Sequence, residues 1–483
     1  MIKSSWYALP AAFFLLVGFS LSQVKTLFVS RLVYFLLFLF LFQLLRRFDL
    51  YAMLRPAIAG VAAIIFSYGI VQKFVLFPYY LENIRPESNY YAHALITRIR
   101  SGRVFSLFSL PTLYAIVCAI LLIFLLYFFI RSSRRLLWGI LLGMGILNLI
   151  LTQSFGGLVY LSAGILLLLL LTGILKKKYL PPLVMVLSLL FFVVMGLRFS
   201  ELKRLEPLVL RVSNWNQAAR MIGESPLLGV GLGNYEARVS YHIRPGEARS
   251  IYAHNFVLQF LAETGVLLPL VMLPVLIFGR RRWIPPPGEH RSLYAAAATI
   301  LVVYNAIDIG FYFFSAALAG VVILSQLFPA GKRRRLALNG VSAALCTGLL
   351  LIQSLSTGHQ QRGHFLLSQN DLSGAQRHYR SSLGLDPFNH RSWVGLAQIQ
   401  FNRGRLEESE VHLERALALY PDLAYANHLL SQVLYRKGRF LSALYHARLA
   451  MRKQNTSRAY GEWYRVIEKG IRGVLSPVGT GES

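Results

Sequence analysis

The chain is poor in cysteine and in acid. Of its 483 residues only Cys118 and Cys346 are cysteines, and both lie inside long apolar runs. That excludes a disulfide framework, a cysteine-ligated zinc site and a thiol nucleophile in a wet cleft. Asp and Glu total 21 against 50 Lys and Arg, and no Asp-x-Asp occurs anywhere. A divalent-metal clamp built on paired carboxylates has no obvious ligands, so no metal and no other cofactor is expected. Charged residues make up only 15% of the chain against 55% hydrophobic. This balance excludes a soluble enzyme with one large core and points to a polytopic membrane protein.

A bilayer-spanning helix needs about 20 mostly apolar residues. Eleven runs qualify as candidates: 6–23, 27–45, 52–74, 106–130, 136–153, 157–175, 179–198, 254–279, 291–309, 311–329 and 336–355. The first has one Lys ahead of it and no small-x-small site after it, so a cleaved leader is not expected. If the runs alternate, Arg46–Arg47, Arg131 with Arg134–Arg135, Lys176–Lys178, Arg280–Arg282 and Lys332–Arg335 share one side. Basic residues mark the cytoplasmic side. The N-terminus is then expected inside, and the loops 75–105 and 199–253 and everything after 356 outside. The outer loops are basic too, with Arg98, Arg100 and Arg103 in one and Arg211 and Arg220 in the other. Attraction to membrane lipid accounts for such charge as well as an anionic ligand does. A nucleic-acid partner is not expected.

Past residue 356 an interval of 34 residues recurs. Asn370, Gly404 and Gly438 are in register, as are Leu372, Leu406 and Phe440; Ala375, Ser409 and Ala443; and Ser382, Ala416 and Ala450. With Trp393, Leu396 and Pro421 the middle unit resembles a tetratricopeptide repeat, which implies a short α-solenoid over 356–471 and a possible protein partner. Residues 472–483 are small and polar, and are expected to be disordered.

The polar connection from Arg211 to Gly265 carries the chemistry. Leu208, Val212, Trp215, Ala219 and Ile222 mark one face of a helix expected to lie along the membrane surface, with Arg211 and Asn214 beside it. Gly229, Gly231 and Gly233 alternate in a turn that is neither a P-loop nor a nucleotide fingerprint, and allow close approach to a ligand or a neighbouring helix. His254 opens the eighth run, and Asn255, Gln259 and Glu263 follow as a polar stripe. A histidine ring, titrating near neutrality, can act there as base or as cation. Asn305 and Asp308 form a weaker case, explicable as hydrogen bonds between helices.

The order Arg211, Trp215, Ser225-Pro226, Gly229, Gly231, Gly233-Asn234-Tyr235, then Ala253-His254-Asn255, Gln259 and Glu263-Thr264-Gly265 resembles the O-antigen ligase/polymerase family. Ile96–Ala115 is similar to that family's earlier outer loop. The resemblance covers roughly residues 10–330. It departs at Ser154-Phe155-Gly156-Gly157, where members often carry Ser-Arg-Gly. The resemblance implies an all-α fold: a membrane helix bundle of about eleven spans, similar to the GT-C glycosyltransferases, followed by the solenoid. It also implies transfer of a glycan from undecaprenyl pyrophosphate to a glycan or lipid acceptor hydroxyl, at the periplasmic face of a bacterial inner membrane. His254, Arg211 and Arg220 are then the expected catalytic residues. Arg98, Arg100, Arg103, the three glycines, Asn255, Gln259 and Glu263 are expected to bind substrate. A polymerase carries the same signature. A solute transporter is the alternative of another class.

Overall fold

A computed structural model describes residues 19–20, 22, 24–83, 99–108, 110–173, 180–197, 206–244, 247, 250–270, 290–328, 337–453 and 458–475. The expected first span at 6–23 lies almost wholly outside the described residues, as do Arg98 and residues 271–279. All regular elements among the described residues are helical.

The bundle begins with α1 (Lys25–Leu45) and α2 (Tyr51–Val71). The latter continues through a π-helical turn, Gln72–Leu76, into α3 (Phe77–Asn83), so the expected span at 52–74 extends past its predicted end. Next come α4 (Pro111–Arg131), α5 (Arg135–Leu151), α6 (Phe155–Leu171) and α7 (Leu180–Leu197). Among the described residues, three helical stretches are long and apolar enough to cross a membrane, Leu27–Leu45, Tyr51–Asn83 and Pro111–Arg131. Four shorter apolar helices accompany them. The hub is α4, whose side chains from Leu113 to Phe128 are buried nearly all round, as expected of a helix apolar on every face.

Polar contacts sort the helix ends into two groups. At one end Arg46 donates to the Phe328 carbonyl, Arg55 to Ser132 Oγ at 2.8 Å, and the Tyr51 ring stacks on His290. At the other, Gln72 Oε1 accepts the Phe105 and Ser106 amides at 3.0 and 2.8 Å, pinning the loop before α4 to the π-helical turn that follows α2.

Between the two apolar halves lie α8 (Glu206–Glu224), α9 (Tyr235–Val239) and α10 (Phe256–Thr264). One expectation changes here, and one is filled in. The protein-facing side of α8 is Asn214, Gln217, Ala218 and Met221, while Val212 is 43% exposed and Ala219 also faces out. Burial thus selects the small and amide-bearing face, leaving Val212 and Ala219 uncovered and Trp215 and Ile222 half-buried at its edge. The apolar run 254–279 is also not one helix: Gly265, at φ +66°, ends α10 after nine residues. The bundle closes with α11 (Arg291–Ile307), a 3-10 turn at Gly310–Tyr312, and α12 (Phe314–Leu327).

The change of composition at 356 falls inside a single helix, α13 (Ala337–Ser368), of 32 residues. At 1.5 Å per residue it is roughly 48 Å long. Three helix pairs follow from it: α13 with α14 (Leu372–Leu385), α15 (His390–Asn402) with α16 (Leu406–Leu419), and α17 (Ala424–Arg436) with α18 (Phe440–Lys453). Each first helix ends on a left-handed residue, Asn370, Gly404 or Gly438, at φ +63°, +73° and +73°. In each case the following amide reaches back five residues: Asp371 to Leu366, Arg405 to Gln400, Arg439 to Leu434. This is the glycine-type helix stop, repeated every 34 residues. The register residues Ala375, Ser409, Ala443, Ser382, Ala416 and Ala450 are all fully buried where helices cross. A last helix, α19 (Arg458–Leu475), caps the array, so residues 472–475 are helical where disorder was expected.

Candidate functional site

The site is built where the start of α10 meets the end of α11. Asn255 caps α10, accepting the Leu258 amide at 3.0 Å, and its own amide donates to the Ala306 carbonyl at 2.8 Å. The Phe256 amide donates to the Asp308 carbonyl at 3.0 Å. These bonds join two helix ends and leave His254 just outside the cap in a left-handed conformation, φ +51°. A non-glycine residue held there stores roughly 1–3 kcal/mol of strain, offset by the surrounding bonds.

That conformation aims the imidazole at Asp308. His254 Nδ1 lies 3.1 Å from Asp308 Oδ1, and Arg211 Nη2, arriving from α8, lies 3.7 Å from Oδ2. Asp308 is buried, its Oδ1 also accepting the Ile309 amide at 2.9 Å, whereas the His254 side chain is 35% exposed. Trp215 Nε1 donates to the His254 carbonyl at 3.2 Å and fixes α8 against this turn. From α6, the buried Tyr160 hydroxyl lies within reach of the Arg211 guanidinium. A carboxylate engaging Nδ1 holds the ring in one orientation and directs Nε2 outward as a base.

The glycine turn packs against the other end of α10. The Val230 and Gly231 amides donate to the Ala262 and Glu263 carbonyls, both at 2.9 Å, satisfying acceptors that a helix end leaves open. Gly229, Gly231 and Gly233 all have positive φ, and a Cβ on each would meet Glu263, Ser22 and Arg31 respectively at under 3 Å. The close approach that these glycines permit is to neighbouring protein. Gln259 and Glu263 are likewise engaged internally. Glu263, 1% exposed, accepts from the Gly233 amide and the Tyr312 hydroxyl, both at 2.7 Å, and from Gln259 Nε2 at 3.1 Å. Arg31 of α1 covers the Tyr312 ring at 4.7 Å.

Of the other expected arginines, Arg98 lies outside the described residues, and Arg220 and Arg103 bond to groups other than His254. Arg220 donates to the His242 carbonyl at 2.9 Å and pairs with Glu247, folding the 240s segment back on α8. Burial works against the Glu247 charge, but the Arg244 amide and the Arg220 guanidinium outweigh it and hold the carboxyl below its usual range. Burial lowers the pKa of His242 against the pull of Glu224, 2.6 Å away. Arg100 is exposed, and Arg103 Nε donates to the Thr152 carbonyl at 3.0 Å. That bond brings an arginine to the turn before Ser154-Phe155-Gly156-Gly157, where the sequence itself has none. Lys73 braces the same loop through the Gly102 carbonyl at 2.8 Å.

Sequence reasoning ranked Asp308 low and missed Tyr160, Arg31 and Lys73. The only signal for Asp308 was a carboxylate at the end of an apolar run, and 54 residues separate it from His254. Among the described residues no group of three or more His, Cys, Asp or Glu side chains could hold a metal ion.

Residues 140–273 match the O-antigen ligase family, and residues 366–433 match the tetratricopeptide repeat. The first match contains α8, the glycine turn, His254 and α10, but ends before Asp308. No curated protein matches the chain.

Proposed function

We propose, from the O-antigen ligase domain that this chain carries, that it is a metal-independent, inverting glycosyltransferase of the periplasmic membrane face. It takes a glycan from undecaprenyl pyrophosphate and passes it to an acceptor hydroxyl. The observation that carries this reading is the His254–Asp308–Arg211 group. His254 Nε2 removes the acceptor proton as the acceptor oxygen bonds to the anomeric carbon. The bond from that carbon to the pyrophosphate oxygen breaks, and its electron pair leaves with the lipid pyrophosphate. Arg211 stabilises that departing charge, and Asp308 stabilises the imidazolium. Arg100 and Arg103 supply further positive charge on the same side. Arg220, engaged with Glu247, shapes the loop.

The test is transfer from a radiolabelled undecaprenyl-pyrophosphate glycan by purified protein. The expected result is a glycosylated product with the wild-type chain, and none with His254→Ala at equal membrane abundance. Full activity in that variant would sink the assignment. Transfer to lipid A marks a ligase, while elongation of the glycan marks a polymerase of the same family.

A further inference from the structure

The solenoid rests on the loop that shapes the site. Its contact is the turn between α16 and α17, Tyr420-Pro421-Asp422-Leu423. Tyr420 is 5% exposed and packs with Val24 and Ala237, which are almost wholly buried, flanked by Leu27 and Leu423. Asp422 accepts a hydrogen bond from the Tyr241 hydroxyl, and Arg391 of α15 lies 3.6 Å from Glu236. Ala237 and Glu236 belong to α9, and Tyr241 stands two residues beyond it. Midway along its length, α13 is tied to α1 by Gln353 Nε2 donating to Ser30 Oγ at 2.9 Å.

From α9 the connection to the site is short. Asn234, the residue before α9, accepts the Val24 amide at 2.7 Å and donates to Ser22 Oγ at 2.6 Å. Its neighbour Gly233 donates to Glu263, and the glycine turn is bonded to the end of α10. The start of α10 carries His254. A five-residue helix such as α9 has no stability of its own, so its place depends on what packs against it. The membrane segments and the glycine turn hold one side, and the solenoid holds the other.

We infer that Tyr420, with Asp422 and Arg391, positions the catalytic loop. The solenoid is thus a fixed part of the transfer machinery, whatever else binds along the rest of its surface. For its catalytic arm the inference rests on the function proposed above; for its structural arm it does not. The Arg391–Glu236 pair and the Tyr241–Asp422 bond are both exposed and each contributes little by itself, so most of the weight falls on the Tyr420 contact.

Amide hydrogen exchange on the full-length protein in detergent tests the docking. Tyr420→Ala is expected to speed exchange over 234–241 about tenfold or more, with α14 and α15 protected as in the wild type. Should Tyr420→Ala loosen the repeats as well, Tyr241→Phe and Asp422→Asn decide the matter. Each is expected to raise exchange at α9 by a few-fold, and the double variant no further, because both remove one bond. Unchanged exchange at α9 in all of these variants overturns the docking, whether or not the chain transfers glycan. In the transfer assay the loosened variants are expected to lose kcat several-fold with KM nearly constant. A variant with a loosened α9 and wild-type kcat would overturn the positioning role.

Discussion

Asp308→Asn separates a role in chemistry from a role in packing. The Asn carbonyl can keep the bond from the Ile309 amide, now 2.9 Å, so the turn after α11 has what it needs to form. What changes lies on either side. The Arg211 guanidinium, 3.7 Å away, loses its counter-charge. The His254 ring faces an amide in place of a carboxylate. Oδ1 serves both the Ile309 amide and Nδ1. The Asn therefore either keeps both bonds with its NH₂ toward Arg211, or flips and gives up the Ile309 bond. In the flipped form an N–H turns toward Nδ1 and moves the ring proton to Nε2, the atom that must accept the acceptor's proton. At an effective dielectric of ~20 the lost Coulomb attraction is roughly 4–5 kcal/mol gross. Arg211 is 28% exposed, however, and solvent returns much of that. The net loss of stability is then about 1–2 kcal/mol. The loss in the chemical step is larger: misdirecting a general base costs ~10²–10⁴ in kcat, about 3–5 kcal/mol of barrier. Single-turnover release of undecaprenyl pyrophosphate from purified, folded variant is the assay. The expected outcome is intact protein with kcat down at least a hundredfold. A variant that keeps half the wild-type kcat would refute the dyad, and so would a loss of activity that tracks loss of folded protein.

Two left-handed glycines are expected to respond differently to alanine. At Gly265 the added carbon would sit 2.1 Å from the Leu227 carbonyl oxygen, which is backbone, so Gly265→Ala should cost about 3 kcal/mol or more and lower the thermal midpoint sharply. At Gly404 the space is empty, so Gly404→Ala should cost only the left-handed penalty of about 1–2 kcal/mol. The repeats should also weaken in acid. Burial, aided by Arg391, pushes the His390 ring down to about 4. The unfolded chain therefore binds the proton first, and stability is lost as pH falls through 6.5 toward 4. The loss nears roughly 3 kcal/mol at the lower limit. Exchange at α15 and α16 measured from pH 7 to 4.5 checks the sign, and His390→Phe should flatten the profile.

The parts legible in the sequence were those governed by local rules. A left-handed stop needs glycine or asparagine, so Asn370, Gly404 and Gly438 announced three helix ends at one interval. Close crossings need small side chains, and Ala375, Ser409 and Ala443 stood where they were required. His254 stood out because a polar group at the head of an apolar run is costly unless used. Its partner did not, because a pairing across 54 residues leaves no local trace. For α8, periodicity finds the apolar stripe but does not say which side the protein covers. Here the amides of Asn214 and Gln217 face inward while Val212 faces out.

Composition misled at residue 356. The switch from apolar to polar residues reads as a boundary, yet the α-helical hydrogen bonds of α13 are indifferent to it and run straight through. A rigid helix at that point has a mechanical consequence that a flexible linker would not. With α13 fixed to α1 midway along its length, the solenoid cannot swing freely, so the turn at Tyr420 meets α9 without the entropy cost of closing a long loop. The weak individual contacts there can therefore hold the loop, because the continuous helix has already brought them together.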